Sequence, residues 1–111
     1  MKISTSVTET GIALLEVEGE VDAHTARELK KALNDLLAQG HSRLVLDGAQ
    51  MGYISSPGLR VLLSAQREAR QLGGEVRLCG LNAQVRRTFE LAGFGELFHF
   101  GDTREGAMEG W

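Results

Sequence analysis

Residues 44–59, LVLDGAQMGYISSPGL, contain the two signals that decide the fold. The run begins with Leu44-Val45-Leu46, a short continuous apolar segment of the kind found in strands that are covered on both faces. Further along stands Pro57, and proline is favoured in the first turn of a helix, where its missing N–H is not needed. The stretch therefore predicts a central strand, a loop over residues 47–56 and a helix that opens at Pro57 and ends at Gly73-Gly74.

Two strands and an amphipathic helix are predicted upstream of this stretch. Residues 3–8 alternate in the period of a half-buried strand, and residues 12–17 give a second strand, so the two are expected to form a hairpin. Apolar residues then recur at helical spacing from Ala26 to Leu37. Gly40 follows that segment and predicts its end.

The connection before this first helix is rich in residues that cap helices. Asp22 and Thr25 can each accept a hydrogen bond from a free backbone amide at a helix start. Thr25 is also followed three residues later by Glu28, which fits a capping box. The sequence therefore predicts that this turn closes the amino terminus of the first helix.

The downstream half continues the alternation of strands and helices. Residues 75–79 predict a strand, and Asn82 is expected to cap a third helix that Gly93 closes. Residues 97–100 predict a last short strand, and residues 102–105 can start a weak final helix. After the hairpin, this order implies right-handed crossovers and a mostly parallel sheet. At 111 residues the chain is expected to form one α/β domain spanning residues 1–111.

Composition and charge argue against several classes of partner. The net charge is −3, and the lysines and arginines are spread in pairs that suggest solvated helix faces, so direct nucleic-acid binding is not expected. No stretch approaches the ~18 apolar residues that a membrane span requires. The first residues do not resemble a signal peptide. We therefore expect a cytoplasmic protein.

The side chains that usually carry catalysis or metals are isolated. His24, His41 and His99 have no second ligand at metal-binding spacing, so neither a metal nor a cofactor is expected. Cys79 lies in a predicted strand and is interpreted as a small core residue. Ser56 does not stand in the G-x-S-x-G turn of serine hydrolases, and no GxGxxG or P-loop is present. The chain is therefore not expected to be an enzyme, and no catalytic residue is predicted.

Ser56 is nevertheless the most informative polar residue. Pro57 pushes the residue before it towards extended geometry, and an N-cap needs that geometry, so Ser56 is predicted to be the N-cap of the second helix. One interpretation ends there, with a cap worth ~1 kcal/mol. In the other, a phosphate on Ser56 would be accepted by the free N–H groups of the helix start, chiefly those of Gly58 and Leu59.

Four runs of the sequence, in this order and spacing, resemble the STAS family, and more closely the bacterial anti-sigma-factor antagonists. The runs are GEVDAHTA at 19–26, LD at 46–47, ISSPGL at 54–59 and GGEV at 73–76. The resemblance extends from the first hairpin to about Phe100. It implies a mixed, mostly parallel sheet of about five strands with helices packed on one side, in place of a central strand covered on both faces. It also implies a protein of signalling and transcription regulation without catalysis of its own.

The resemblance further implies a partner-switching phosphoprotein. Members bind an anti-sigma factor that is a serine kinase with an ATP-binding fold, and phosphorylation at the start of the second helix separates the two proteins. A PP2C-type phosphatase resets the cycle. Aligned on Gly58-Leu59, the family's Asp-Ser-Ser-Gly-Leu places Ser56 at the phosphorylated serine. The implied partner surface is Asp22, Thr25, Ser55, Ser56, Pro57 and Gly58.

Two departures from the family pattern keep other hypotheses open. Ser55 stands where the family has aspartate, and Pro57 stands where it has a second serine. A STAS domain without the switch would be a phosphorylation-independent scaffold or a subunit of a transport or signalling complex. A third hypothesis, an enzyme with Ser56 as nucleophile, would require that a serine-directed activity probe label this residue.

Overall fold

A single mixed sheet organises the chain, and the computed structural model describes residues 1–111. The strands are β1 (Lys2–Val7), β2 (Ala13–Val21), β3 (Arg43–Ile54), β4 (Glu75–Cys79) and β5 (His99–Gly101). The helices are α1 (Ala26–Ala38), α2 (Ser56–Gln71), α3 (Ala83–Leu91) and α4 (Arg104–Met108). The five strands lie in the order β1-β2-β3-β4-β5, with β1 antiparallel to β2 and the other neighbours parallel. The predicted α/β class, the hairpin and the mostly parallel sheet are confirmed.

Three helices cover one face of the sheet and build the main core. Alternate residues of β2, such as Leu15 and Val17, point to this face and are buried. Leu29 of α1, Leu62 of α2 and Phe89 of α3 are fully buried against them. Truncating a leucine in such a core costs about 2–5 kcal/mol, so this face supplies most of the stability that holds the helices in position.

The fourth helix lies against the opposite face. Val45 points away from the main core and is fully buried in a smaller cluster with Ile12, Cys79 and Ala107. The prediction of helices on one side therefore holds for α1 to α3, and α4 covers part of the second face. Burial, followed by the charge of Asp47, raises the pKa of the Cys79 thiol to about 11. The expectation that this cysteine is a core residue is confirmed.

Two arginines hold α4 in place. Arg104 donates to Asp47 Oδ2 at 2.6 Å and to Glu16 Oε2 at 2.8 Å. Arg77 donates to the carbonyl oxygen of Ala107 at 3.0 Å, and its guanidinium lies 3.9 Å from the centre of the Trp111 ring. These bonds tie the carboxyl-terminal segment to three strands of the sheet.

The strand β3 is much longer than predicted, because the segment expected to be a loop over residues 47–56 continues the strand to Ile54. The pairing of β3 with β2 shifts register between Glu16 and Glu18 and again between Gly19 and Glu20. Such shifts break the two-residue period that identifies a strand in a sequence. The loop prediction was wrong for this reason.

No helix in the structure is both long enough and apolar enough to cross a bilayer.

Candidate functional site

The candidate site lies where β2 and β3 end and the chain turns into α1 and α2. These strands are parallel neighbours, so their carboxyl ends meet at one edge of the sheet. Val21 pairs with Ile54 at this edge, and the Ser55 N–H donates to the Val21 carbonyl at 2.8 Å. The two connections are therefore held side by side, which brings Asp22 and Thr25 to the same edge as the start of α2.

The N-cap of α2 is Ser55, not Ser56. Ser55 has the extended geometry of a cap (φ −88°, ψ 170°), and its Oγ accepts a hydrogen bond from the Gly58 N–H at 3.3 Å. Its carbonyl accepts the first helical bond, from the Leu59 N–H at 3.0 Å. The predicted cap was wrong by one residue, because Pro57 occupies the second helical position, where its missing N–H is equally harmless.

Ser56 is consequently the first residue of α2, and its side chain is exposed. No hydrogen bond within the protein engages its hydroxyl, whereas Ser55 is only 8% exposed and its hydroxyl is used. The expected phosphate donors also change. The N–H groups of Gly58 and Leu59 both bond to Ser55, and Pro57 has none. The N–H of Ser56 itself is thus the one backbone donor of the first turn that Ser55 does not engage.

Gly58 is buried rather than presented to a partner. A Cβ at this position would lie 2.8 Å from Ile54 Cγ1 and 2.8 Å from Val21 Cγ1. The glycine thus lets the first turn of α2 pack directly on the ends of the two strands. Of the predicted partner surface, the structure makes Ser55 and Gly58 supports, while Ser56 and Asp22 are exposed and Pro57 and Thr25 are half-buried.

The connection before α1 is closed by a network of its own. Asp22 Oδ1 accepts hydrogen bonds from the backbone amides of His24 at 2.9 Å and Thr25 at 2.8 Å. Thr25 Oγ1 accepts from the Asp22 N–H at 2.9 Å and lies 2.9 Å from the Glu20 carbonyl, to which it donates. Hydrogen bonds from the Thr25 amide and hydroxyl, then that from His24, hold the pKa of Asp22 below its usual value.

The predicted capping box at this helix is wrong. Thr25 is the N-cap by position, but it has helical geometry (φ −77°, ψ −15°) and its side chain makes no cap bond. The Glu28 N–H bonds instead to the Thr25 carbonyl at 3.0 Å. The Thr25 hydroxyl is turned back to Glu20 and Asp22.

Two features next to the site were not predicted from the sequence. Tyr53, just before the α2 connection, is 47% exposed although it lies in a strand. Arg27, Lys30 and Arg60 line one groove between α1 and α2, beside Pro57. The sequence feature that could have indicated these cations is spacing. Arg27 and Lys30 are three residues apart and Ser56 and Arg60 are four apart, which places each pair on one helix face.

No histidine or carboxylate hydrogen-bonds to the Ser56 hydroxyl, so the serine has no base to activate it. No group of three or more histidine, cysteine, aspartate or glutamate side chains is positioned to hold a metal ion. At this edge Asp22 and Ser56 are exposed, and Thr25 and Pro57 are half-buried.

The fold and this edge define the class of protein: a small α/β domain that presents a serine at the start of its second helix. The particular family follows from sequence comparison, since the STAS domain matches residues 4–107. The chain belongs to the STAS family.

Several relatives have names that state a role. BtrV of Bordetella bronchiseptica, whose name assigns it provisionally to the anti-sigma factor antagonists, is 38% identical over 97 residues, covering 87% of this chain and 84% of its own. The anti-sigma-B factor antagonist of Listeria monocytogenes is 34% identical over 94 residues, covering 85% and 82%.

Solved structures confirm the fold. The anti-sigma factor antagonist SpoIIAA in its unphosphorylated form superimposes with a TM-score of 0.83 at 19% identity, covering 97% of this chain and 94% of its own. The phosphorylated form of SpoIIAA, described as a Bacillus cell fate determinant, gives a TM-score of 0.75 at 18% identity, covering 97% of each chain. At these identities the likeness concerns the fold alone.

Proposed function

We propose that this chain is an anti-sigma factor antagonist that is switched off by phosphorylation of Ser56. Its partner would be an anti-sigma factor that is a serine kinase with an ATP-binding fold, and a PP2C-type phosphatase would restore the unmodified form. The observation that carries the proposal is the contrast between two adjacent serines. Ser55 is buried and caps the helix, whereas Ser56 is exposed and its hydroxyl is unbonded.

The surrounding residues divide into those that contact the partner and those that position the contact. Asp22, Ser56 and the exposed part of Pro57 would form the docking surface, with Thr25 at its side. Ser55 and Gly58 would act from beneath, by fixing the start of α2 against the strand ends. Tyr53 adds an exposed aromatic side chain next to this surface, and aromatic residues are enriched where proteins bind one another.

A phosphate is compatible with the fold at this position. Phosphorylation adds a charge of about −1.5 to −2, and negative charge in the first turn of a helix interacts favourably with the helix dipole. The Ser56 hydroxyl supports no internal hydrogen bond that modification would break. We therefore expect phosphorylation to change the surface that a partner meets without unfolding the domain. Because the modifying partner uses ATP, we place the complex in the cytoplasm.

Mass spectrometry after incubation with the cognate kinase and ATP tests the proposal. The wild-type chain should gain one phosphate, on Ser56, and Ser56→Ala should gain none. Ser55→Ala is the matched control, because it removes the neighbouring hydroxyl and leaves the acceptor, and it should still be phosphorylated.

Phosphate on another residue, or undiminished phosphate on Ser56→Ala, would contradict the assignment. A partner that binds equally well whether or not Ser56 is modified would instead support the phosphorylation-independent scaffold.

A further inference from the structure

A groove lined only by cationic, neutral polar and apolar side chains separates α1 from α2. Ala26, Leu33 and Val61 form its apolar part, and Arg27, Lys30 and Arg60 supply its charges. No carboxylate lines this groove, and none of the three cations takes part in an ion pair. The net charge of the chain is −3, so its unpaired positive charge is unevenly distributed, with three such side chains in this one groove.

The neighbouring groove between β1 and α1 contains charges of both signs instead. It is lined by Glu28, Lys31 and Asp35, so both signs of charge are present. Lys31 Nζ and Asp35 Oδ2 form an ion pair at 2.9 Å. The positive charge of that groove is therefore balanced within the chain. The positive charge of the α1–α2 groove is not, so it can interact with an anion that binds there or is added to the chain by modification.

The open cations lie at the same end of the helices as Ser56. Because β2, β3 and β4 are parallel and α1 and α2 cover the same face, the two helices run in the same direction. Arg27 at the start of α1 therefore lies level with the start of α2. Arg60 stands four residues after Ser56, a spacing that brings two Cβ atoms to within about 5–6 Å on a helix. Lys30 lies about one turn deeper.

A phosphate on Ser56 finds few backbone donors in the first turn of α2, because two of the amides there are already engaged and one position is proline. The Gly58 and Leu59 amides bond to Ser55, and Pro57 has no N–H. Arginine, in contrast, presents two parallel N–H donors that match phosphate oxygens. We infer that the α1–α2 groove is an intramolecular phosphate-binding site, in which Arg60, assisted by Arg27 across the groove, binds the phosphoryl group of phosphorylated Ser56.

This inference deepens the proposed function and rests on it only in that Ser56 is modified in the cell. Binding by Arg60 would hold the phosphate against the helix rather than leave it extended in solvent. It would also neutralise much of the groove's positive charge. Phosphorylation would thus change two adjacent surfaces at once, the one around Ser56 and the one between the helices.

Phosphorus NMR on the full chain with phosphoserine incorporated at position 56 during translation tests the inference. The second pKa of a phosphoserine is ordinarily about 6, and a bound guanidinium favours the dianion and lowers that pKa. We expect a value lowered by at least about half a pH unit in the otherwise wild-type chain. The negative charge of Asp22, in the adjacent connection, opposes this lowering of the phosphate pKa. The positive charge of Lys30 reinforces the lowering.

The variants are Arg60→Gln, Arg27→Gln and, as a matched control, Arg67→Gln. Arg67 is exposed on the same helix but lies about 16 Å from Ser56 along the axis, since the rise is about 1.5 Å per residue. Arg60→Gln should return most of the lowered pKa to its ordinary value, Arg27→Gln a smaller part, and Arg67→Gln almost none. Circular dichroism should show unchanged helicity in all three.

An unchanged phosphate pKa in Arg60→Gln, or equal effects of Arg60→Gln and Arg67→Gln, would overturn the inference. Because no kinase is used to install the phosphate, this result is separate from the mapping of the phosphorylated residue. A kinase that modifies a different residue would remove the proposed function and leave this measurement intact.

Discussion

The starts of α1 and α2 lie side by side at one edge of the sheet, yet they differ in whether their polar side chains are hydrogen-bonded within the protein. At α1, Asp22 and Thr25 bond to each other and to the local backbone. At α2, Ser55 takes the capping role and leaves the next hydroxyl, that of Ser56, exposed and unbonded. One connection therefore uses up its polar side chains locally, while the other leaves one of two adjacent serine hydroxyls accessible.

The largest expected effect concerns the packing that fixes the start of α2. Gly58→Ala places a methyl group 2.8 Å from carbon atoms of Ile54 and Val21. Such overlap costs about 1–3 kcal/mol, which exceeds the gain of at most about 1 kcal/mol from the better helix propensity of alanine. Urea unfolding should therefore show a less stable variant.

Gly52→Ala is the control, because a Cβ at that exposed strand position meets nothing within 4 Å. Equal stability of the Gly58→Ala and Gly52→Ala variants would show that the first turn of α2 is not held against the strand ends.

The two serines should then separate in stability. Ser55→Ala removes the side chain that accepts from Gly58 and should cost about 1 kcal/mol in the free energy of unfolding. Ser56→Ala removes an exposed hydroxyl without a partner and should change stability by less than about 0.5 kcal/mol. If Ser56→Ala were the more destabilising variant, Ser56 would be the cap, and the roles assigned to Ser55 and Ser56 would be reversed.

The smallest effect is a dependence of stability on pH from the α1 connection. The pKa of Asp22 is lowered in the folded state, so its ionised form stabilises the fold above the unfolded value of 3.8. That contribution should be lost as the pH falls through the lowered folded pKa. Urea unfolding between pH 6 and about 2 should show that the free energy of unfolding of the wild type falls with pH. The fall should be smaller in Asp22→Asn. Identical pH profiles would show that the Asp22 hydrogen bonds do not stabilise the turn.

The regular elements could be predicted from the sequence because their periods are uninterrupted. The hydrophobic spacing from Ala26 to Leu37 predicted α1, and the apolar run at Leu44 predicted the central strand. The continuation of β3 to Ile54 could not be predicted in this way, since two register shifts in its pairing with β2 disturb the alternation. Periodicity reports single elements and gives no information on irregular pairing between them.

The N-cap of α2 was predicted one residue too far along the chain. Pro57 restricts the residue before it, so Ser56 was predicted as the cap, but proline is also accepted at the second helical position, which makes Ser55 rather than Ser56 the cap. Burial decides between them, because the Ser55 side chain is enclosed. The α1–α2 groove was missed because Arg27 and Arg60 come from different helices, and only the shared direction of α1 and α2 brings them together.

The proposed function requires that a phosphate on Ser56 separate this chain from its partner. Calorimetric titration of the cognate anti-sigma factor with the unmodified chain, and with the chain carrying phosphoserine at position 56, tests it most directly. We predict that the modified chain binds at least about tenfold more weakly, a difference of about 1.4 kcal/mol. Equal affinities for the two forms would contradict the claim.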